Sequence, residues 1–396
     1  MNPPVYTAGG RGAWRAAVAG LIALAAAVGI GRFAFTPLLP MMQHDSGLTI
    51  TAGGWLASAN YLGYFAGALS VVWLHVPAAT MLRAAMALNA MLIAAMGLTD
   101  SLAAWLAIRG AAGVVSAWVF VFASTVVLKR LAESGRIDLS SVMFAGVGIG
   151  MLLPGLICIL FVALGVAARD AWFAFAALAA AAAVFVWRAF GHVAEVAVAE
   201  SAHDRERPLW TSTMVRLIVS YGLFGLGYII PATFLPAFAR DMLAGSHAYA
   251  WFWPACGTAA ALSVLASAAW SRRHGDYALL LVCCVAEAAG IALPVFAHNV
   301  AMILMSSVLL GATFIVITVA ALREARRLAP AHGGKLIGAM TASFALGQIA
   351  GPLGAAYLVA WRGNFDVSLI LAAIALLGAA VVLPKSKPAH AGSTGR

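Results

Sequence analysis

Two arginines and one glutamate lie inside stretches that are otherwise apolar, and any chemistry this chain performs must begin with them. Arg32 sits in Gly29-Ile-Gly-Arg-Phe-Ala-Phe-Thr-Pro-Leu-Leu-Pro40, Arg109 in an apolar run that starts near Leu102, and Glu287 near the middle of another. A charge in hydrocarbon is costly and normally faces a partner or a water-filled cavity. Arginine presents a planar fork of donors that matches carboxylates and phosphates, so the pair points to an anionic or carbonyl-rich small molecule. The structural alternative is that each arginine caps carbonyls beside a broken helix or packs between helices. Glu287 is the only acid deep in an apolar run, which makes it a candidate for proton coupling or a neutral group bonded to a neighbouring helix.

Polar residues that could complete a site are few. Asn60 and Tyr64 are four apart and share a helix face, with Tyr61 adjacent. Tyr228 and Gln348 are the main polar groups of two later runs, and Trp118 and Trp253 could stack on a ligand or simply pack. Around Arg32, Gly29 and Gly31 permit close helix contact, while Pro37 and Pro40 remove backbone donors, so the helix is expected to bend or open there. The same pattern returns about 196 residues later as Gly225-Leu-Gly-Tyr-Ile-Ile-Pro-Ala-Thr-Phe-Leu-Pro236. Tyr228 stands where Arg32 stood. One copy holds a charge and the other a hydrogen-bonding ring.

The elements that must position these residues follow from composition. The chain has 396 residues, 63% hydrophobic and only 10% charged; a soluble domain would carry roughly a quarter charged residues. Apolar runs long enough for a crossing helix recur from end to end, so the expected class is an all-α polytopic membrane protein. Twelve spans are predicted, at 14–39, 52–76, 80–98, 102–128, 140–164 and 170–190, then 212–238, 248–270, 277–297, 300–322, 335–360 and 367–384. The first follows Arg11 and Arg15 like a signal peptide, but it is long and ends without a small-residue cleavage site, so it is expected to be retained.

Between the two sets lies the polar segment 191–211, giving an expected division into 1–190, a central loop, and 212–396 with a short tail. Alternate loops carry Lys129, Arg130, Arg136, Arg188, Arg205, Arg207, Arg272, Arg273, Arg323, Arg326, Arg327 and Lys335, against only Arg169, Arg240 and Arg362 on the other side. That bias places both termini in the cytoplasm. It also accounts for the net charge of +10 without invoking nucleic acid. The cysteines Cys158, Cys256, Cys283 and Cys284 all lie in apolar runs and read as packing residues.

Parallel six-span halves resemble the major facilitator superfamily of transporters. Arg109-Gly-Ala-Ala-Gly113 is similar to its fourth-span arginine-plus-glycine motif. Gly338, Gly347, Gly351, Pro352 and Gly354 keep the spacing of its antiporter motif, which usually belongs to the fifth span; Gly146, Gly148, Gly150, Pro154 and Gly155 are the looser match there. After the second span, Gly67-Ala-Leu69 leads into Ser70-Val-Val-Trp-Leu-His75 without the usual acid. Trp270-Ser-Arg-Arg-His-Gly-Asp276 keeps the basic character in the second half. Gly29 through Pro40, followed by Gly54-Trp-Leu-Ala-Ser-Ala-Asn-Tyr-Leu-Gly-Tyr64, resembles the YbfB/YjiJ-like group of bacterial permeases.

That resemblance implies an inner-membrane secondary transporter working by alternating access. The first and fourth spans of such proteins line a central cavity, and Arg32 and Arg109 each lie about 12 Å below the outer surface at 1.5 Å per residue. The expected partners are a small-molecule substrate, protons and the lipid bilayer, with the chain a monomer. Drug or metabolite efflux and a membrane sensor or scaffold are the alternatives. Enzyme chemistry is not expected: Gly333-Gly-Lys335 lacks a phosphate-loop pattern, and no metal-ligand spacing or cofactor motif occurs. The histidines fall in loops or at span ends.

Overall fold

A backbone surrounded by lipid must satisfy its own hydrogen bonds, so long apolar runs have little choice but to form helices. The computed structural model describes residues 9–74, 76–190, 210–242, 250–329 and 333–384, and among these no strand occurs. The elements are α1 (Gly9–Leu24), a widened π-helical stretch (Ala25–Phe33), α2 (Phe35–Ser46), α3 (Ile50–Ser70), α4 (Ala78–Met96), α5 (Leu102–Glu133), α6 (Ser140–Ala163), α7 (Ala168–Phe190), α8 (Ser212–Met242), α9 (Phe252–Phe296), α10 (Val300–Leu328), α11 (Gly333–Arg362) and α12 (Asp366–Val382). The segment 191–209 of the expected central loop, with Arg205 and Arg207, lies outside the described residues, as do His75, His247, His332 and the side chains of Arg240 and Lys335.

Nine stretches among the described residues are long and apolar enough to cross a membrane. One of them, α9, has 45 residues and is broken at Gly275, whose φ of 82° no other residue type adopts cheaply; the eighth and ninth expected spans occupy its two arms. The count omits α12, with 17 residues, and α3, which is diluted by glycines and by Ser58, Asn60, Tyr61 and Tyr64.

The break in the first run takes a form that its prolines did not foretell. Pro37 falls in the first turn of α2 and Pro40 inside it, and the backbone departs from α geometry before them, at Ala25–Phe33. Widened turns leave carbonyls poorly matched to donors in their own helix, and here other helices supply donors. Asn89 of α4 donates to Ala26 at 3.3 Å, and Ser116 of α5 donates to Ala27 at 2.9 Å. Arg109 donates from its two terminal nitrogens to Gly31 and Arg32, each at 3.2 Å.

Several helices touch backbone to backbone, and the motif glycines mark where. A Cβ on Gly29 would strike the Gly150 backbone of α6, and one on Gly31 the Asn89 amide. At Gly113 it would strike the Asn60 carbonyl, and at Gly347 the Gly222 carbonyl of α8. Gly351 lies against the Ile229 side chain. Pro154 and Pro352 sit inside α6 and α11.

Candidate functional site

Arg32 is the last residue but one of the widened stretch, 5% exposed, with its guanidinium carbon 4.4 Å from the ring centre of Tyr64, 4.9 Å from Tyr61 and 5.2 Å from Phe33. Its Nε and Nη2 are buried without a hydrogen-bond partner, and no carboxylate pairs with it among the described residues. Each ring face returns about 0.5–2 kcal/mol to a cation. Burial of an unpaired ion costs several kcal/mol. The three rings soften that cost without supplying a negative charge.

Arg32 forms part of the wall of a cavity of about 330 Å³. Across it stand rings from α8, α10 and α11. Tyr221 stacks on Phe344 with centres 4.8 Å apart, Phe344 on Tyr228 at 5.6 Å, and Tyr228 on Phe314 at 5.9 Å. The remaining wall is largely aliphatic, and it holds no acidic residue among those described. Gln348 donates to the Tyr228 hydroxyl from behind the rings, and its own carbonyl oxygen is buried without a partner.

The cavity reaches the end of the bundle where α3 and α10 finish and α11 begins, since Leu69, Leu322 and Ile337 belong to its wall. At the other end the helices before residue 191 are joined to those after 209. Thr36 donates to the Ala232 carbonyl and Ser58 to the Ile349 carbonyl, each at 3.1 Å. Thr233 gives its proton to the Ile229 carbonyl, so the Tyr61 hydroxyl donates to Thr233, at 3.2 Å. Gly54 lies against Ala356 and Pro352, and Gly155 against Pro254. The cavity is therefore closed at one end and open at the other.

Arg109 lies outside the cavity wall. It is 2% exposed, its guanidinium covers Phe35 at 4.7 Å, and its terminal nitrogens hold the carbonyls of Gly31 and Arg32. Asn60 donates to the Arg109 carbonyl at 2.9 Å and does not face the cavity. Of the residues marked from sequence, Arg32, Tyr64 and Tyr228 share the wall, Tyr61 covers Arg32 from the closed end, and Gln348 supports Tyr228. Glu287 is elsewhere, between α9 and α10, accepting from Thr313 at 2.9 Å. Trp253 packs near Phe33, with centres 6.1 Å apart, and Trp118 donates to Ser70.

Tyr221, Phe314, Thr318 and Phe344 belong to the wall and were not singled out from sequence. The signal was present. Tyr221, Phe224 and Tyr228 follow the i, i+3, i+7 spacing of one helix face, while Phe344 precedes Gln348 by one turn. Asp276 was likewise passed over. Just after the Gly275 break it accepts from Arg323 of α10 at 2.7 and 2.9 Å and from Ser271 at 2.7 Å. The first-half loop has no such acid; there Trp118 donates to Ser70, which donates to the Gly67 carbonyl.

This arrangement of helices is that of the major facilitator transporters. The fold matches a crystal structure of a mutant of the nucleoside transporter NupG with a TM-score of 0.73 and 16% identity, over 93% of this chain and 98% of that one. It matches the human organic anion transporter MFSD10 (TETRAN) with a TM-score of 0.66 and 15% identity, over 96% and 100%. No curated protein matches the sequence. Residues 24–384 match a family described as "Uncharacterised MFS-type transporter YbfB", and the chain belongs to that family. It is a multi-pass transporter of a small solute, not an enzyme.

Proposed function

We propose that the protein is a secondary transporter for a small organic anion, with the acidic group of the substrate held by Arg32. The observation that supports this reading is a buried, unpaired guanidinium in the wall of a cavity with no acid among its described residues. An anion that reaches it replaces lost hydration with a fork of charge-assisted hydrogen bonds. Tyr64, which is only partly buried, is the ring that must turn to admit it. Arg109 acts at one remove: by holding the carbonyls of Gly31 and Arg32 it fixes the widened turn that aims Arg32.

The reading extends to the whole architecture. Twelve spans form two six-helix halves, 1–190 and 212–396, which rock about the cavity in alternating access. Described cations such as Arg130, Arg136 and Arg326 cluster at the open end, so with basic loops inside, this conformation opens to the cytoplasm of a bacterial inner membrane, where both termini lie. The protein works as a monomer.

The test is thermal stabilisation of the purified protein by organic acids, amines, sugars and amphipathic drugs, repeated with Arg32→Ala. A ligand that binds the native state raises the melting temperature by mass action. Stabilisation by acids that vanishes in Arg32→Ala is expected. Stabilisation by amines or neutral drugs in both proteins would replace this reading with drug efflux.

Glu287 carries the proton-coupling part of the proposal. Its Oε1 is buried without a partner, and its Oε2 is held by Thr313, the neighbour of Phe314 in the cavity wall. A proton bound there is one side chain from the site. Glu287→Gln is expected to make uptake into vesicles indifferent to an imposed pH gradient while leaving substrate exchange intact. An undiminished response to the gradient would leave Glu287 as a bond between helices and nothing more.

A further inference from the structure

Resting on the anion reading above, we infer that the substrate is a flat aromatic monoanion: one acidic group on a ring small enough to lie along the four stacked rings opposite Arg32. The rings of the ladder Tyr221, Phe344, Tyr228 and Phe314 are close to parallel, with successive planes tilted by 19°, 10° and 6°. Its members come from three helices, α8, α10 and α11, and all four line the cavity. Outside the ladder the same rings pack in the ordinary mixed way, Phe224 against Tyr221 and Phe344 at 38° and 32° and Phe33 against Phe314 at 80°. Rings stacked on one another turn their edges to the cavity, and the face of a planar aromatic ligand laid against those edges makes the edge-to-face contacts that aromatic pairs favour.

The charge count limits the substrate to one negative group. Among the described residues Arg32 is the only charged one in the wall, and the terminal nitrogens of Arg109 are spent on backbone carbonyls. A second carboxylate would lie among mostly apolar side chains, with a few neutral hydroxyls and no second cation among the described wall residues to replace its water. Thr318, Thr341 and the tyrosine hydroxyls are the polar groups left in the wall, enough to meet a hydroxyl or ring nitrogen but not a second charge. The volume of about 330 Å³ lies near the lower end for small-molecule sites, which favours one or two rings.

The experiment compares benzoate, cyclohexanecarboxylate, phthalate and benzyl alcohol as ligands of the full-length protein in detergent, by calorimetry and by thermal shift. The four probes vary flatness, charge count and charge separately, and the native protein suffices. Benzoate is expected to bind about tenfold more tightly than cyclohexanecarboxylate, from edge-to-face contact with more than one ring of the ladder. Phthalate and benzyl alcohol are expected to bind more weakly still. Phe344→Leu should narrow the gap between benzoate and cyclohexanecarboxylate without removing carboxylate binding.

Equal affinity for the two monocarboxylates would overturn the aromatic inference and leave the anion reading standing. Tighter binding of phthalate would overturn the single charge. Failure of every carboxylate to stabilise the protein, with benzyl alcohol or an amine succeeding, would remove both.

Discussion

Arg32→Met is expected to raise the melting temperature of the ligand-free protein and to abolish its stabilisation by anions. Methionine has nearly the reach of arginine and no charge to desolvate. The guanidinium it replaces is 5% exposed, with two nitrogens lacking any partner, and its compensation comes from the faces of Phe33, Tyr61 and Tyr64 alone. Replacing even a buried ion pair by well-packed apolar residues of similar volume is often neutral or stabilising, by up to about 4 kcal/mol, and a lone cation has no Coulombic partner to lose. The thioether also keeps favourable contact with the surrounding rings. Stability and function therefore pull in opposite directions at this position. Melting curves of the two proteins in one detergent, with and without an organic acid, check both halves of the statement. A destabilised Arg32→Met would mean that the arginine holds the bundle together and that its cavity position is incidental.

Arg109→Met, the same change one helix away, is expected to act with the opposite sign. This guanidinium is as deeply buried, but it donates to the carbonyls of Gly31 and Arg32, and it covers Phe35. Removing it orphans two acceptors in a stretch whose own turns do not satisfy them. Hydrogen bonds involving a charged group contribute about 1.5–3 kcal/mol each, so a loss of about 3 kcal/mol is expected, enough to lower the melting temperature by several degrees. Affinity for anions should fall as well, because the widened turn that aims Arg32 is no longer held. A substitution that left stability unchanged while removing binding would instead place Arg109 in direct contact with the substrate.

Sequence depth alone treated these two arginines as equals, and the reason it could do no better is geometric. Hydropathy and loop charge fix how far a residue lies from either end of its helix, because both depend on distance along the axis. They do not fix the angle around the axis, which is set by neighbours far away in the chain. Arg32 faces the cavity; Arg109 faces the widened turn. That turn was equally hidden: Ala25–Phe33 contains nothing that forbids an α-helix, and its irregular carbonyls are met by Asn89, Arg109 and Ser116 from α4 and α5. The helices themselves were legible, with the first-half set beginning and ending within about seven residues of the expected bounds. The aromatic ladder lay between, since the spacing along α8 could show a face but not which rings would meet it.

The seam that shuts one end of the cavity is built from hydroxyl groups and carbonyls: Thr36 with Ala232, Ser58 with Ile349, Tyr61 with Thr233. Among the described residues no ion pair crosses it. Parting it trades each neutral bond for one to water and separates no opposite charges. Dissolved salt has almost no hold on such a step, because screening acts on charges and not on hydroxyl–carbonyl bonds. Parting of this seam should therefore cost nearly the same in dilute and in concentrated electrolyte.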